Sequence, residues 1–144
     1  MKQKTVQKIA LDSCVVIEII QRRSFADRLR NYFFGKPVRL VLCDVVLREV
    51  QRIRGFGPYE TISKISKLVG KKVETYTIDD QLKLQGKAIS AQYMFCHRGD
   101  NLILAMCKAM DFVLLSFDRM FLKACELVGV RAISPKTAKV EEIV

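Results

Sequence analysis

Residues 112–117, FVLLSF, narrow the possible folds of this chain more than any other stretch. So short and nearly continuous an apolar run is the pattern of a parallel β-strand covered on both faces. Asp118 stands where that strand would end. On its other side, Gly99 breaks the chain, Asp100 is positioned to cap a helix, and Ile103, Leu104 and Cys107 recur at i+3, i+4 and i+7 on one helical face. The stretch 97–121 therefore reads as a helix, a buried strand and the start of a second helix, with an acid at each informative junction. Open α/β sheets bind their ligands outside the carboxyl ends of their strands, which is where Asp118 falls.

The rest of the chain repeats this alternation. A strand over 5–11 ends at Asp12, and a helix over 13–21 follows, with Glu18 spaced to pair with Arg22. Ser24 is read as the cap of a second helix to about residue 34 that aligns Phe25, Leu29 and Phe33 and is stopped by Gly35-Lys36-Pro37. A buried strand spans 38–43. Asp44 then caps a helix over 45–53, whose apolar stripe is Val46, Val50 and Ile53. Glu49 falls inside that stripe, and a core-facing carboxylate is costly unless a cation, a metal or a donor meets it. Arg48 or Arg52 is the ordinary partner.

Pro58 opens a helix over 58–69, and a shorter, more alternating strand within 71–78 belongs near a sheet edge. Asp79 or Asp80 caps a long helix to about residue 93, with Leu82, Ile89 and Tyr93 inward. After Asp118 a helix buries Phe121, Leu122, Cys125 and Val128, ends at Gly129, and leads to a last strand over 130–134. Strands alternating with helices give an α/β class, a three-layer α/β/α sandwich around a parallel sheet.

The 144 residues, 1–144, read as a single domain. No apolar run approaches the roughly 20 residues that span a bilayer, and the N-terminal segment is too short for a signal peptide, so a soluble, cytoplasmic protein is expected. Five cysteines, at 14, 43, 96, 107 and 125, are odd in number, form no C-x-x-C pair and lie mostly in apolar segments. They read as buried free thiols, because Cys96, His97 and Cys107 have poor zinc spacing. The net charge of +10 favours polyanionic partners, although a charge surplus is often only a solvated surface.

Asp12, Asp100 and Asp118 each have an ordinary reading as helix caps. Taken together, Asp12 and Asp118 end strands on the carboxyl edge, while Glu49 and Asp100 lie in early turns of helices starting from that side. Crowded carboxylates repel one another and shift upward in pKa unless cations neutralise them. A divalent metal is the simplest solution. Hard oxygen donors without His or Cys suit Mg²⁺ or Mn²⁺, and the chemistry that follows is phosphodiester hydrolysis, with the basic surplus holding a nucleic-acid backbone. Asp111 precedes the strand that Asp118 follows and so lies at the opposite sheet edge; Asp44, Asp79 and Asp80 read as caps.

The segments L-D-S at 11–13, L-R-E-V at 47–50, D-N-L-I-L-A at 100–105 and S-F-D-R-M-F at 116–121 together resemble the PIN domain, particularly its VapC-like ribonucleases. The resemblance covers essentially the whole chain. It implies a parallel sheet ordered 3-2-1-4-5 and a Mg²⁺- or Mn²⁺-dependent endoribonuclease acting on RNA. Position by position, Asp12, Glu49, Asp100 and Asp118 match the family's acidic quartet, and Ser13 and Ser116 match the small hydroxyl residues beside its first and last acids. Two residues depart from the pattern. Ser116 replaces the usual Thr of T-x-D, and Asn101, either a polar contact at the site or an exposed first-turn residue, replaces a small one. The resemblance also suggests a homodimer, for which Tyr32 and Phe34 add apolar surface to the helix of Phe25, Leu29 and Phe33.

Other classes fit less well. A phosphoacceptor receiver would need paired acids after the first strand and a lysine ending the last, and a non-catalytic RNA-binding module on this fold should have lost acids. Within the nuclease reading, the toxin of a toxin-antitoxin pair, with an antitoxin protein as partner, competes with an RNA-processing nuclease. The lack of an attached zinc ribbon or RNA-binding domain leans toward the toxin.

Overall fold

Strand β1 (Gln7–Leu11) is the central strand of a five-stranded sheet in the computed structural model, which describes residues 5–92 and 99–135. Helices α1 (Ser13–Gln21) and α2 (Arg23–Phe33) lead to β2 (Val38–Cys43), and α3 (Asp44–Arg54) and α4 (Pro58–Val69) lead to β3 (Val73–Tyr76). Then come α5 (Asp80–Gln92), α6 (Asp100–Met110), β4 (Val113–Leu115), α7 (Arg119–Val128) and β5 (Ala132–Ile133). Every strand pairing is parallel, in the order β3-β2-β1-β4-β5. Helices α1 to α4 pack among themselves, as do α5 to α7, giving the layers that flank the sheet. This is the α/β/α architecture and strand order expected.

Burial explains the strands. Ile9, Ala10 and Leu11 of β1, Leu40 to Cys43 of β2 and all of β4 are at most 3% exposed, so both faces are covered and the apolar runs are continuous. At the β3 edge, by contrast, Glu74 pairs with Lys8 at 3.0 Å and Arg39 at 2.8 Å. Those bonds, Arg39's first, hold the Glu74 carboxyl below its ordinary pKa, and such charges also blunt an exposed strand edge. Phe25, Leu29 and Phe33 form the buried side of α2, as their spacing requires.

Three local expectations are corrected. Ser24 does not cap α2, because the break from α1 is the single extended residue Arg22, whose carbonyl accepts from Phe25 and Ala26; Ser24 is already inside the first turn. Asp44 is the first residue of α3 rather than its cap. Its Oδ1 accepts from the N–H groups of Val45 at 3.0 Å and Ile78 at 3.1 Å, tying this helix to the chain leaving β3. The buried stripe of α3 is Val46, Leu47 and Val50, while Ile53 in the last turn is 44% exposed. That rotation moves Glu49 from the stripe to its flank.

Asp79 is the acid that caps α5, its Oδ1 accepting from the N–H of Leu82 at 2.8 Å. Inside α5, Gly86 permits a close helix contact, since a Cβ there would lie 2.9 Å from Leu102 Cδ2 of α6. Leu82 is buried and Ile89 packs against the core, while Tyr93 lies outside the described residues. Among the described residues no helix is long and apolar enough to cross a membrane.

Candidate active site

Strand β1 leads through α1 to β2 on one side, whereas β4 lies on its other side, so the sheet changes direction between β1 and β4. Such a switch point leaves a crevice beyond the carboxyl ends of the two strands. Leu11 is paired with Leu115, and the next N–H, that of Asp12, donates to the Leu115 carbonyl at 3.0 Å. This sets Asp12 beside Ser116 at the floor of the crevice.

Asp12 is 6% exposed and fully engaged. Its Oδ1 accepts from the Ser13 N–H at 2.9 Å, and its Oδ2 accepts from Ser116 Oγ at 2.7 Å and Cys14 Sγ at 3.5 Å. Burial nevertheless raises its pKa above the ordinary 3.8, outweighing those donors, and the negative charge of Glu49 adds to the rise. The Ser116 hydroxyl also accepts from the Asp118 N–H at 3.1 Å, so one buried side chain fixes both strand-end acids. Asp118 caps α7 through Oδ1, which accepts from Met120 N–H at 2.9 Å and Phe121 N–H at 3.2 Å.

Asp100 does not cap α6, contrary to expectation. Gly99 holds the cap position with φ of 95°, and its carbonyl accepts from Leu102 and Ile103, so Asp100 is one residue too late to cap. A carboxylate in the first helical turn is still favoured by the helix dipole. Glu49, on the flank of α3, is half-buried; Arg48 pairs with Asp44, at 3.5 Å, rather than with Glu49.

The four carboxylates share one cavity. Asp12, Glu49, Asp100 and Asp118, with Ser13, Cys14 and Phe117, line one cavity of about 370 Å³. Ser116 lies beneath its floor, fully buried. Asn101 takes neither expected position, for its side chain and carbonyl lie against Gly86 of α5. Asp111 is exposed with φ of 56° at the end of α6, before β4 and so at the opposite end of that strand from Asp118.

Two lining residues escaped the sequence reading. Cys14 is half-buried at the cavity, its thiol pushed up to about 11 by burial and then by the Asp12 charge. Its position two residues after Asp12, in the first turn of α1, was the available signal. Phe117 faces the cavity because β4 stops at Leu115, two residues short of the apolar run's end. Cys43, Cys107 and Cys125 are buried free thiols, and Cys96 and His97 lie outside the described residues.

The donor set suits a hard divalent cation, four carboxylates of which one is almost wholly desolvated and pushed toward protonation where no cation neutralises it. Among the described residues, however, no group of three or more His, Cys, Asp or Glu side chains is close enough to hold an ion directly. The cavity is thus an open acidic pit rather than a closed chelate. Mg²⁺ characteristically keeps several of its waters, which such a pit accommodates.

A family model for the PIN domain matches residues 9–127. Among solved structures, the chain is similar to VapBC2 from Rickettsia felis bound to a DNA fragment from its promoter, with a TM-score of 0.67 and 13% identity over 89% of this chain and 98% of that one. It is likewise similar to DNA-bound VapBC from Salmonella typhimurium, at a TM-score of 0.64 and 18% identity over 90% and 98% of the two chains. A domain of a functionally unknown protein from Methanocaldococcus jannaschii matches at a TM-score of 0.59 and 21% identity, over 93% and 94%. No curated protein matches the sequence significantly.

Proposed function

Because the chain belongs to the PIN-domain family, whose members are nucleases, we propose that it is an endoribonuclease that hydrolyses RNA phosphodiester bonds at the acidic pit. One observation carries this reading: four separate segments, just beyond the ends of β1 and β4, in the second turn of α3 and at the start of α6, each bring one carboxylate to the same cavity. Asp12, Glu49, Asp100 and Asp118 would hold Mg²⁺ or Mn²⁺, which when bound polarises phosphoryl oxygens and acidifies a water. Ser116 orients Asp12 by donating to it and Asp118 by accepting its N–H, so the two acids keep a fixed relation during substrate binding. Ser13 holds the other Asp12 oxygen through its backbone. The surplus of 25 Lys and Arg over 15 Asp and Glu supplies affinity for the RNA backbone.

The likeness to VapBC structures supports the role of a toxin acting in the cytoplasm and neutralised by an antitoxin protein. A homodimer is part of this reading, with Phe34, 84% exposed after the rest of the α2 aromatics have turned inward, as its anchor. Residues 1–144 act in it as one nuclease domain.

The test is cleavage of a broad panel of structured RNAs with Mg²⁺ or Mn²⁺. Activity should vanish in EDTA and fall by orders of magnitude in Asp12→Ala, Glu49→Ala, Asp100→Ala and Asp118→Ala, while Asp111→Asn stays active. RNA binding without metal-dependent cleavage on any RNA, with the alanine variants indistinguishable from the parent, would overturn it in favour of a non-catalytic RNA-binding module.

A further inference from the structure

The acidic pit has a neighbour on each side, and the two differ in chemistry. Through Glu49 it adjoins a groove of about 740 Å³ whose charged lining is otherwise cationic, Arg48, Arg52 and Lys83. Through Phe117 it adjoins a cavity of about 340 Å³ that includes Phe25, Arg22 and Arg28. There the rings of Phe25 and Phe117 lie 5.7 Å apart at 55°, and Arg28 stands 6.0 Å from the Phe25 ring centre. Arg22 is paired with Glu18 at 2.8 Å and Arg28 donates to the Pro135 carbonyl, so two cations against one anion leave this cavity net positive while fixing both guanidinium groups.

Resting on the nuclease reading of the pit, we infer that single-stranded RNA crosses it asymmetrically, held on the Arg48 and Arg52 side by its phosphates alone and on the Phe117 side by a base stacked at the aromatic cavity. The physical grounds are separate for each side. An arginine and lysine groove neutralises phosphate without regard to base, whereas an aromatic face beside fixed guanidinium groups offers a surface for a π-system. Ser24 also lines the aromatic cavity, beside the Glu18 that Arg22 engages. A duplex, whose bases are stacked and paired, could not supply a free base. Base preference should therefore reside on one side of the cleaved bond only.

The inference is tested by binding in EDTA, where cleavage plays no part, using short single-stranded RNAs that carry 2-aminopurine. The chain has no tryptophan, so the probe's emission is read without interference. Anisotropy gives affinity, and the 2-aminopurine emission reports stacking. Phe117→Leu should abolish the emission change and weaken binding roughly tenfold. Arg48→Gln with Arg52→Gln should weaken binding and lower the salt slope by about 1.4, while keeping the emission change. Should Phe117→Leu unfold, Arg28→Gln on the exposed face of α2 serves instead, reducing both affinity and emission change. An emission change that is absent in the parent protein, survives Phe117→Leu, or disappears equally with the groove arginines would overturn the asymmetry. Loss of cleavage with this binding pattern intact would sink the nuclease reading alone, and active cleavage without the pattern would sink the inference alone.

Discussion

Ser116 Oγ donates to Asp12 Oδ2 at 2.7 Å and accepts from the Asp118 backbone N–H at 3.1 Å, so a single fully buried hydroxyl spans the ends of two adjacent strands. Its removal leaves a desolvated carboxylate short of a donor and an amide short of an acceptor. Ser116→Ala should cost about 1–3 kcal/mol in urea unfolding and reduce cleavage sharply. Ser116→Thr, which keeps the hydroxyl, should recover most of the activity. An alanine variant as stable and active as its parent would show that the bridge is incidental.

Asp12 gives the apo protein a distinctive pH response. Burial raises its folded pKa above the ordinary 3.8, so between the two values the native state holds a proton that the unfolded chain has lost. The stability it contributes is fully present below the unfolded pKa and is lost as pH rises through the folded one. Glu74 runs the other way, its lowered pKa contributing stability that is lost as pH falls, though its partial exposure keeps this small. The comparison with Asp12→Asn isolates the first effect. In EDTA, the melting temperature of the variant relative to the parent should climb as pH goes from 3.8 toward neutrality. A constant difference across that range would contradict the assignment.

Gly99 positions Asp100 by its backbone. Its φ of 95° is open to glycine and strained for an L side chain, and an added Cβ would sit 3.2 Å from Val45 Cγ1. Gly99→Ala should therefore destabilise the fold by about 1–3 kcal/mol and lower activity through displacement of the α6 start, with thermal unfolding and cleavage measured together. Normal values for both would mean that the helix start tolerates another geometry.

The fold was legible because a strand buried on both faces has to be apolar at nearly every position. The expected bounds 38–43 coincide with β2 for that reason, those of 58–69 with α4 because Pro58 opens the helix and Gly70 closes it, and those of 13–21 with α1, which follows the capping Asp12. The acids were harder. An aspartate near a helix start looks the same in sequence whether it caps, as Asp118 does, or stands one residue inside, as Asp100 does behind the positive φ of Gly99. Capping and pit lining were weighed as rivals, yet Asp12 and Asp118 do both at once. Asp44 was unreadable because its decisive partner, the Ile78 N–H, is 34 residues away in the chain. Glu49 reached the pit for a different reason than its spacing suggested, since the buried face of α3 centres on Val50, between Val46 and Leu47, and leaves Glu49 on its flank.

The proposed dimer makes a specific demand on Phe34. Phe25, Leu29 and Phe33 are spent on the monomer's own core, and Tyr32 is half-buried with Lys36 Nζ 3.4 Å from its ring centre, which leaves Phe34 as the large exposed side chain of this segment. Phe34→Ser should shift the protein toward monomer in light scattering at micromolar concentration without lowering its unfolding temperature by more than a few degrees. A parent protein that is already monomeric, or a variant that remains dimeric, removes Phe34 as the anchor.

The metal prediction follows from the openness of the pit. Four carboxylates line it, but among the described residues no three are grouped to grip an ion directly, so affinity must come from their summed field and from contacts through retained waters. Binding of Mn²⁺ to the native state alone should raise the melting temperature by mass action, the fold gaining about 2.7 kcal/mol of stability at one hundred times the dissociation constant. Because the field is shared, Asp12→Asn or Asp118→Asn alone should reduce the rise, and the double variant should abolish it. Neutralising Glu49 or Asp100 in the absence of metal should leave stability unchanged or higher, since repulsion is relieved. Asp111→Asn is the control: at the opposite sheet edge, with a backbone conformation that asparagine also accepts, it should leave the metal response intact. A double variant whose melting temperature still rises with Mn²⁺ as the parent's does would place the ion elsewhere and detach the acidic pit from the chemistry assigned to it.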